Sequence, residues 1–367
     1  MERKKIYFQK EKDSFFQDLK SEIDSYFSEN KLNTTANGFF YAKAILFTSV
    51  YILSYISIYV FGDNIYFLFL IYPFIGIWGV FLGLNVGHDA AHNAVFKKRK
   101  YNFILLHVFD LLGTNSYNWK NRHIGAHHLF PNIMHYDSDI QQSNVVKIFP
   151  KDQHKSFHRF QHLYMPFLYM IYIFRWVVYR DFKDLFSKKI GAFNNTNFPK
   201  KEIIKMVFFK ALYLLLTIFL PALIVGHALI LFFILFLLLT AFASLCITMV
   251  LLSTHVGEEA NFPEPDSNGV MPHSWSHHHL KTAADFSTES FVITHLFGAF
   301  NHHVIHHLFQ NICHIHYPQL TKILKRVASK HNLKYRSTKH LHLAVFSHFK
   351  LLYNNSSKFK IKTQNDG

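Results

Sequence analysis

The fold turns on one stretch, MVFFKALYLLLTIFLPALIVGHALILFFILFLLLTAFASLCITMVLL, residues 206–252. It is nearly all apolar and is interrupted only around Pro221 and at Gly226-His227. A helix needs about 20 apolar residues to cross a bilayer, so the stretch holds two crossings joined by a tight turn. Residues 39–87 form a matching stretch, apolar except for Lys43 and the polar break GDN at 62–64. Crossings are expected near 39–61, 65–87, 206–226 and 229–252. Paired runs of this length argue against buried core helices. The expected fold is all-α and integral to the membrane, with four transmembrane helices in two hairpins.

The two turns, at 62–64 and 226–228, contain no Lys or Arg, whereas the arm before 39, the 88–205 segment and the tail after 253 hold most of the basic residues. The positive-inside rule therefore puts those three parts, and both termini, in the cytoplasm as a histidine-rich cap. The opening MERKKIYFQKEKD lacks an apolar core, so no cleavable signal peptide is expected. Cys246 and Cys313 are the only cysteines, which excludes a disulfide framework or an iron–sulfur cluster. The formal net charge of +16 is spread over membrane-facing loops, so it reads as attraction to anionic membrane lipids and not to nucleic acid. Residues 162–180, HLYMPFLYMIYIFRWVVYR, tempt a fifth crossing but contain Pro166 and Arg175. A charge deep in the bilayer is costly, and this segment is expected to lie in the interface. One domain at 39–330 is the simplest account, with a cytoplasmic arm at 1–38 and a basic cytoplasmic tail at 331–367.

Three short segments carry most of the chemistry: HDAAH at 88–92, HIGAHH at 123–128 and HHVIHH at 302–307. His88 and His92, His123 and His127, and His303 and His307 are each four apart, so on helices each pair shares a face. His128 sits beside the second pair and His306 fills the i+3 position of the third. The clusters are separated by an even number of crossings, which returns them to one side of the membrane. His255, in LLSTHVGEE, lies just past the fourth crossing and can join them. These nine imidazoles are too many for one ion and suit two. Imidazole is mostly neutral at cytoplasmic pH and is the commonest metal ligand. The run His277, His278 and His279 could be ligand, outer layer or surface, with outer layer or surface favoured. His302, His314, His316, His340 and His342 read as interfacial or solvated, and His107 as a satisfied, partly buried residue.

Zinc, copper, iron and nickel all accept imidazole, so ligand type leaves the metal open. A site at the bilayer boundary has acyl chains as its most abundant substrate, and an unactivated C–H bond needs a redox metal and dioxygen. Two iron ions best join ligand, place and substrate. A metal transporter would instead need polar residues near the midplane, and the crossings offer almost none: Ser, Thr, Cys246 and the near-terminal Lys43, Asn85 and Lys210.

The segments GHDAAHNAVF, NSYNWKNRHIGAHHLFPNIMHYDSDI and GAFNHHVIHHLFQNICHIHYPQL resemble the three histidine boxes of the membrane fatty acid desaturases. The resemblance covers roughly residues 35–330 and is closest to the front-end, linoleoyl-CoA-like branch. It implies a di-iron centre, dioxygen as co-substrate and insertion of a cis double bond into a fatty acyl-CoA or acyl-lipid. Its ligands would be His88, His92, His123, His127, His128, His303, His306 and His307, with His255 as the extra histidine after the last hairpin. Asp89, Asp137, Asp139, Glu258 and Asn301 are expected to hydrogen-bond the outer imidazole nitrogens. Two residues depart from the branch: His303 stands where many front-end enzymes have Gln, and Gln310 where Pro usually follows the third box. No HPGG-type haem motif precedes residue 39. Electrons are therefore expected from a separate ferredoxin or cytochrome-b-type protein and its reductase. The family also contains lipid hydroxylases, which share the first hydrogen removal. The basic LTKILKRVASK reads as an amphipathic helix with a solvated or membrane-surface face, or as a dock for an acidic electron donor or the phosphates of a CoA headgroup. Abundant Lys and Phe with scarce Arg suggest an AT-rich genome and a bacterial inner membrane.

Overall fold

A computed structural model describes residues 5–9, 13–140 and 143–356. The ends of the arm and tail that lie outside these ranges fall outside the described residues. Four helices among them are long and apolar enough to cross a membrane: Gly38–Phe61, Ile65–Ala91, Lys200–Val225 and Leu229–His255. Their sequence logic is local. Asn37 caps the first span by accepting from the Phe40 amide at 3.2 Å. Asn64 caps the second, accepting from Tyr66 and Phe67 at 3.0 and 3.3 Å, so the polar break at 62–64 is a helix boundary. Gly226, at φ +83°, ends the third span in a left-handed conformation that glycine adopts without steric cost. His227 then reaches across to the Gly62 carbonyl at 3.1 Å, which puts both tight turns at one end of the bundle.

The second and fourth spans make the closest approach. A Cβ built on Gly76 would lie 2.2 Å from the Leu239 carbonyl oxygen, so only glycine fits there. Hydroxyls along the fourth span close on their own helix: Ser244 donates to the Thr240 carbonyl and Thr248 to the Ser244 carbonyl at 2.7 Å. That satisfies polar groups where water is absent. Ile45, Leu53, Leu70, Leu223 and Ile230 stand exposed on the outside of the bundle, as lipid-facing residues do. The chain is an all-α membrane protein, with only two two-stranded patches of sheet among the described residues.

Three expected boundaries move. The second span runs beyond residue 87 to Ala91, through a π-helical turn at Gly83–Gly87, so the first histidine cluster lies on the spanning helix itself. The fourth runs beyond 252 to His255, its last helical residue. The third begins at Lys200, where the chain enters on Lys200 and Lys201. Residues 162–180 do not form a continuous crossing. They break into Gln161–Tyr169, Tyr172–Arg175 and the π turn Trp176–Arg180. The Ile173 amide donates to Ser244 Oγ at 2.8 Å, anchoring the segment against the fourth span.

The regions around the spans fold back onto them. Helix Ser14–Glu29 buries Phe15, Leu19, Ile23 and Phe27, spaced four apart, against Tyr317–Lys330. This corrects the membrane-surface reading of LTKILKRVASK. Its apolar face is covered by protein, and Arg326 and Lys330 pair with Glu22 and Asp18. Residues 331–356 are likewise no free tail. Ser337–Thr338 pairs with Asp285–Phe286, and helix Leu341–Asn354 packs on the fourth span.

Candidate metal centre

The histidine segments meet at the ends of the second and fourth spans, and local backbone geometry sorts them into two groups. His88, His92, His123 and His306 form one, and His127, His255, His303 and His307 the other. Within each, one ring nitrogen per residue lies within 4.8 Å of all the others. His128 joins the first, with its Nε2 3.1 Å from His123 Nε2 and 3.0 Å from His306 Nε2. All nine imidazoles are buried.

The expected α-helical pairing of His123 with His127 does not occur. Residues His123–His127 form a π turn, in which the His128 amide reaches the His123 carbonyl at 2.8 Å. With one extra residue per turn, His123 aligns with His128, five residues on, and His127 swings to the other group. Helix His303–Leu308 keeps ordinary spacing. His303 and His307 share the second group, their Nε2 atoms 3.0 Å apart, while His306 faces the first. Each cluster beyond the first therefore serves both groups.

The outer nitrogens decide what the inner ones can do. His127 Nδ1 lies 2.9 Å from Asp137 and His123 Nδ1 3.3 Å from Asp139. His255 Nδ1 faces the Thr282 carbonyl at 3.1 Å. A carbonyl or ionised carboxylate has no proton to give, so these imidazoles carry theirs on Nδ1 and leave Nε2 bare. The bare His255 Nε2 then sits 2.8 Å from His303 Nε2 and 3.1 Å from His307 Nε2. Lone pairs converging in a buried pocket call for a cation between them. Burial, before any charge effect, holds His92, His128, His303, His306 and His307 well below the ordinary histidine pKa and His123 at about 4. Protons are thus poor occupants at those six, while at His127 the Asp137 carboxylate outweighs burial and favours the proton; a metal ion suits the converging nitrogens. The donor set fits two metal ions.

Among the expected outer partners, Asp137 and Asp139 reach imidazoles. Asp137 is buried and also accepts from the Asn132 and Asp139 amides at 2.9 and 2.8 Å, so it shapes its turn as well. Asp89 stands 3.9 Å from His88 Nδ1 but bonds His314 more closely, at 2.8 Å to Nδ1 and 3.0 Å to the backbone amide. Glu258 and Asn301 do not reach the site. The Glu258 carboxylate pairs with Lys350 at 2.8 Å, because the chain turns outward after His255. Asn301 donates to the Ser287 carbonyl and to Thr294, bracing the loop before the third cluster.

Other histidines are placed differently from the sequence reading. His302, His314 and His316 are buried and not solvated. His314 Nε2 lies 2.7 Å from Lys43 Nζ, so a neutral imidazole bridges the Lys43 ammonium to the Asp89 carboxylate. That explains the one cation near the start of the first span. Cys313 sits beside Asp89 and His314, but with the Lys43 ammonium already there the cluster needs no metal. His279, by contrast, stands in the outer layer favoured for its run. Its Nδ1 faces His307 Nδ1 at 3.2 Å, and Tyr317 Oη takes the same place for His306 at 3.1 Å. Only the His277–His279 run gives a signal for this layer in the sequence. His278 bonds the Pro131 carbonyl at 2.8 Å, and His107 is satisfied by Asp110 at 2.7 Å.

A cavity of about 180 Å³ opens from the two groups into the bundle. His88, His123, His127, His255 and His303 line its head. Glycines 76, 79 and 83 form one wall along the second span, and Leu239, Ala243, Ile247 and Leu251 the opposite wall along the fourth. Spacing of three and four residues puts each set on a single helix face. The result is a narrow apolar channel that ends on buried imidazoles.

The family model for fatty acid desaturase matches residues 64–339. A sn-1 linoleoyl-lipid 6-desaturase of Synechocystis sp. is 30% identical over 361 residues, covering 93% of this chain and 95% of its own. An acyl-lipid (8-3)-desaturase of Physcomitrium patens is 25% identical over 347 residues, covering 94% of this chain and 72% of its own. A probable Delta(5) fatty acid desaturase C of Dictyostelium discoideum is 27% identical over 353 residues, covering 94% and 76%. Taken with the histidine-headed channel, these matches make the chain a fatty acyl desaturase of the fatty acid desaturase family, on its front-end, linoleoyl-lipid-desaturase-like branch.

Proposed function

We propose that the protein is an oxygen-dependent, di-iron desaturase that introduces a cis double bond into an acyl chain held on a membrane lipid or on CoA. The observation that carries this reading is the channel: an apolar cavity between spans, headed by two groups of four buried histidines. The relatives with acyl-lipid in their names favour the lipid-borne substrate.

His88, His92, His123, His128 and His306 would hold one iron, and His127, His255, His303 and His307 the other. Iron so held supplies dioxygen activation and removal of hydrogen from a methylene group. Overall, two hydrogens leave the chain, dioxygen, two external electrons and two protons are consumed, and two waters form. The protein's part is placement. Asp137, Asp139 and the Thr282 carbonyl fix the tautomers of His127, His123 and His255. His279 and Tyr317 steady His307 and His306. The walls of the channel exclude water and hold the chain so that adjacent methylenes face the imidazole groups. The same hold separates desaturation from hydroxylation, because the second hydrogen must also be within reach.

Electrons come from a separate ferredoxin or cytochrome-b-type protein with its reductase. The cap and termini face the cytoplasm, in a bacterial inner membrane. Support comes from the two adjoining turns at the far end, which carry no Lys or Arg.

The test is expression of the full chain in a host with a suitable reductant, followed by gas chromatography of its lipids. New unsaturated chains, dependent on oxygen and iron, are expected. A gain of one oxygen in the lipid mass would replace desaturation by hydroxylation. Stoichiometric zinc after iron-replete growth, with no oxygen-dependent product, would overturn the reading.

A further inference from the structure

The channel does not run the full depth of the bundle. A second apolar cavity lies beyond it, lined by Thr48, Ile52, Tyr55, Ile58, Tyr72 and Leu216 among others. Both cavities are bordered by Tyr51, Ile75, Leu112, Tyr213 and Leu239, so these side chains form the wall between them. The two tyrosines supply its largest surfaces.

The neighbours fix the partition in place. The Tyr213 ring is buried and lies against Gly113, where a built Cβ would stand 2.6 Å from Tyr213 Cδ1. Gly113 has φ +84°, so the backbone there doubly favours glycine. Tyr51 faces the second span at Gly79, whose built Cβ would lie 3.4 Å from Tyr51 Cε2 and 3.3 Å from Leu112 Cδ2. The tyrosines on the far side are tied down differently. Tyr55 donates to the Leu216 carbonyl at 2.9 Å and Tyr72 to the Thr217 carbonyl at 3.1 Å. Both acceptors lie in the π turn Leu215–Phe219 of the third span. The far cavity thus has hydrogen-bonded tyrosines on one side and reaches the outside of the bundle at Ile52 and Leu111, and the partition separates it from the channel.

We propose that Tyr51 and Tyr213 determine chain-length specificity by closing the acyl channel, limiting how much substrate extends past the histidine groups. The limit can be placed on the second span. Gly79, which Tyr51 faces, is nine residues before His88 and Gly76 twelve, so at 1.5 Å per residue the channel closes about 14–18 Å from the site. A chain whose distal part exceeds that depth meets the two rings. One that falls well short leaves apolar wall without a partner and loses contact energy. This rests on the reading of the cavity as the acyl site.

The test uses the full-length protein in a host fed saturated and unsaturated chains of graded length, with products quantified for each. Tyr213→Ala and Tyr51→Ala should join the two cavities. The ratio of conversion of the longest to the shortest accepted chain should rise at least tenfold in one of them. Gly79→Val works in the opposite sense, since it adds bulk to the channel wall at a position where a Cβ meets the side-chain tips of Leu112 and Tyr51. It should lower that ratio at least tenfold. Tyr213→Ala carries the greater folding risk; if it fails to accumulate, the variants at Gly79 and at Tyr51, which is less buried, decide the outcome. An unchanged ratio in both Tyr51→Ala and Gly79→Val overturns the partition while the acyl reading stands. Absence of any unsaturated product from the unmodified protein overturns the acyl reading itself.

Discussion

At the scale of single residues, the site is a set of imidazoles whose outer nitrogens are held so that the inner ones point together. His255 tests this most sharply, because it belongs to none of the three clusters and is delivered by the last turn of the fourth span. His255→Ala should lose nearly all turnover and measurable bound iron while still inserting in the membrane, as membrane extraction and metal analysis would reveal. Normal iron with full turnover would remove it from the ligand set. Asp137→Asn keeps shape but removes the carboxylate that fixes the His127 tautomer. Outer partners of this kind typically contribute about 10–100-fold to metal affinity, and a loss of that size is expected in iron titration. Glu258→Gln should leave iron content unchanged, since its carboxylate pairs with Lys350 and not with an imidazole. That the histidine segments come together was legible from crossing parity and from the facing pairs His88/His92 and His303/His307, whereas the split of His123 from His127 was not. Nor were the outer partners of the imidazoles. Whether Asp137 or Glu258 turns inward depends on loop backbone that no spacing rule encodes.

At the scale of elements, the π turns separate what the sequence shows from what the structure adds. Spacing of four in HIGAH suggests one face of an α-helix, yet the extra residue per turn sends His123 and His127 to different groups. Nothing in the composition of that segment distinguishes the two helices. The tail helix Leu341–Asn354 is a second case. His348 is buried at its centre, with Nδ1 2.9 Å from the Val256 carbonyl and Nε2 2.7 Å from Tyr169 Oη. Burial, only partly offset by the Val256 contact, holds its pKa at about 4, below the ordinary value of about 6.5. The unfolded or detached helix therefore binds a proton more readily than the docked one. Docking is fully stable above pH 6.5 and weakens as pH falls from there to 4, by about 3 kcal/mol. Limited proteolysis should cut between Thr338 and Asn354 faster at pH 5 than at pH 7.5. His348→Phe should flatten that pH dependence; a profile identical to the unmodified protein would refute the account.

At the scale of the whole molecule, the histidine groups bring together parts of the chain that are otherwise joined through the bundle and through a few hydrogen bonds such as His278 to the Pro131 carbonyl and Asn132 to the His255 carbonyl. The first gathers the end of the second span, the 123–128 turn and the 303–308 helix; the second adds the end of the fourth span. The spans themselves are held by close packing such as Gly76 on Leu239, which involves no metal. Removing metal should therefore act unevenly. Without a cation, the converging Nε2 lone pairs are left buried and unsatisfied, which costs free energy in the cap alone. A chelated sample should keep its helical circular dichroism and its place in the membrane. Its amides around 123–139 and 285–308 should exchange hydrogen at least tenfold faster, while those of Leu229–Ser253 keep their protection. Restoring iron(II) should reverse the change. Uniform loosening of cap and spans would mean that the metal holds the bundle as well. No change anywhere would mean that the nine imidazoles are packed without need of an ion, against the direction in which their outer partners force the protons.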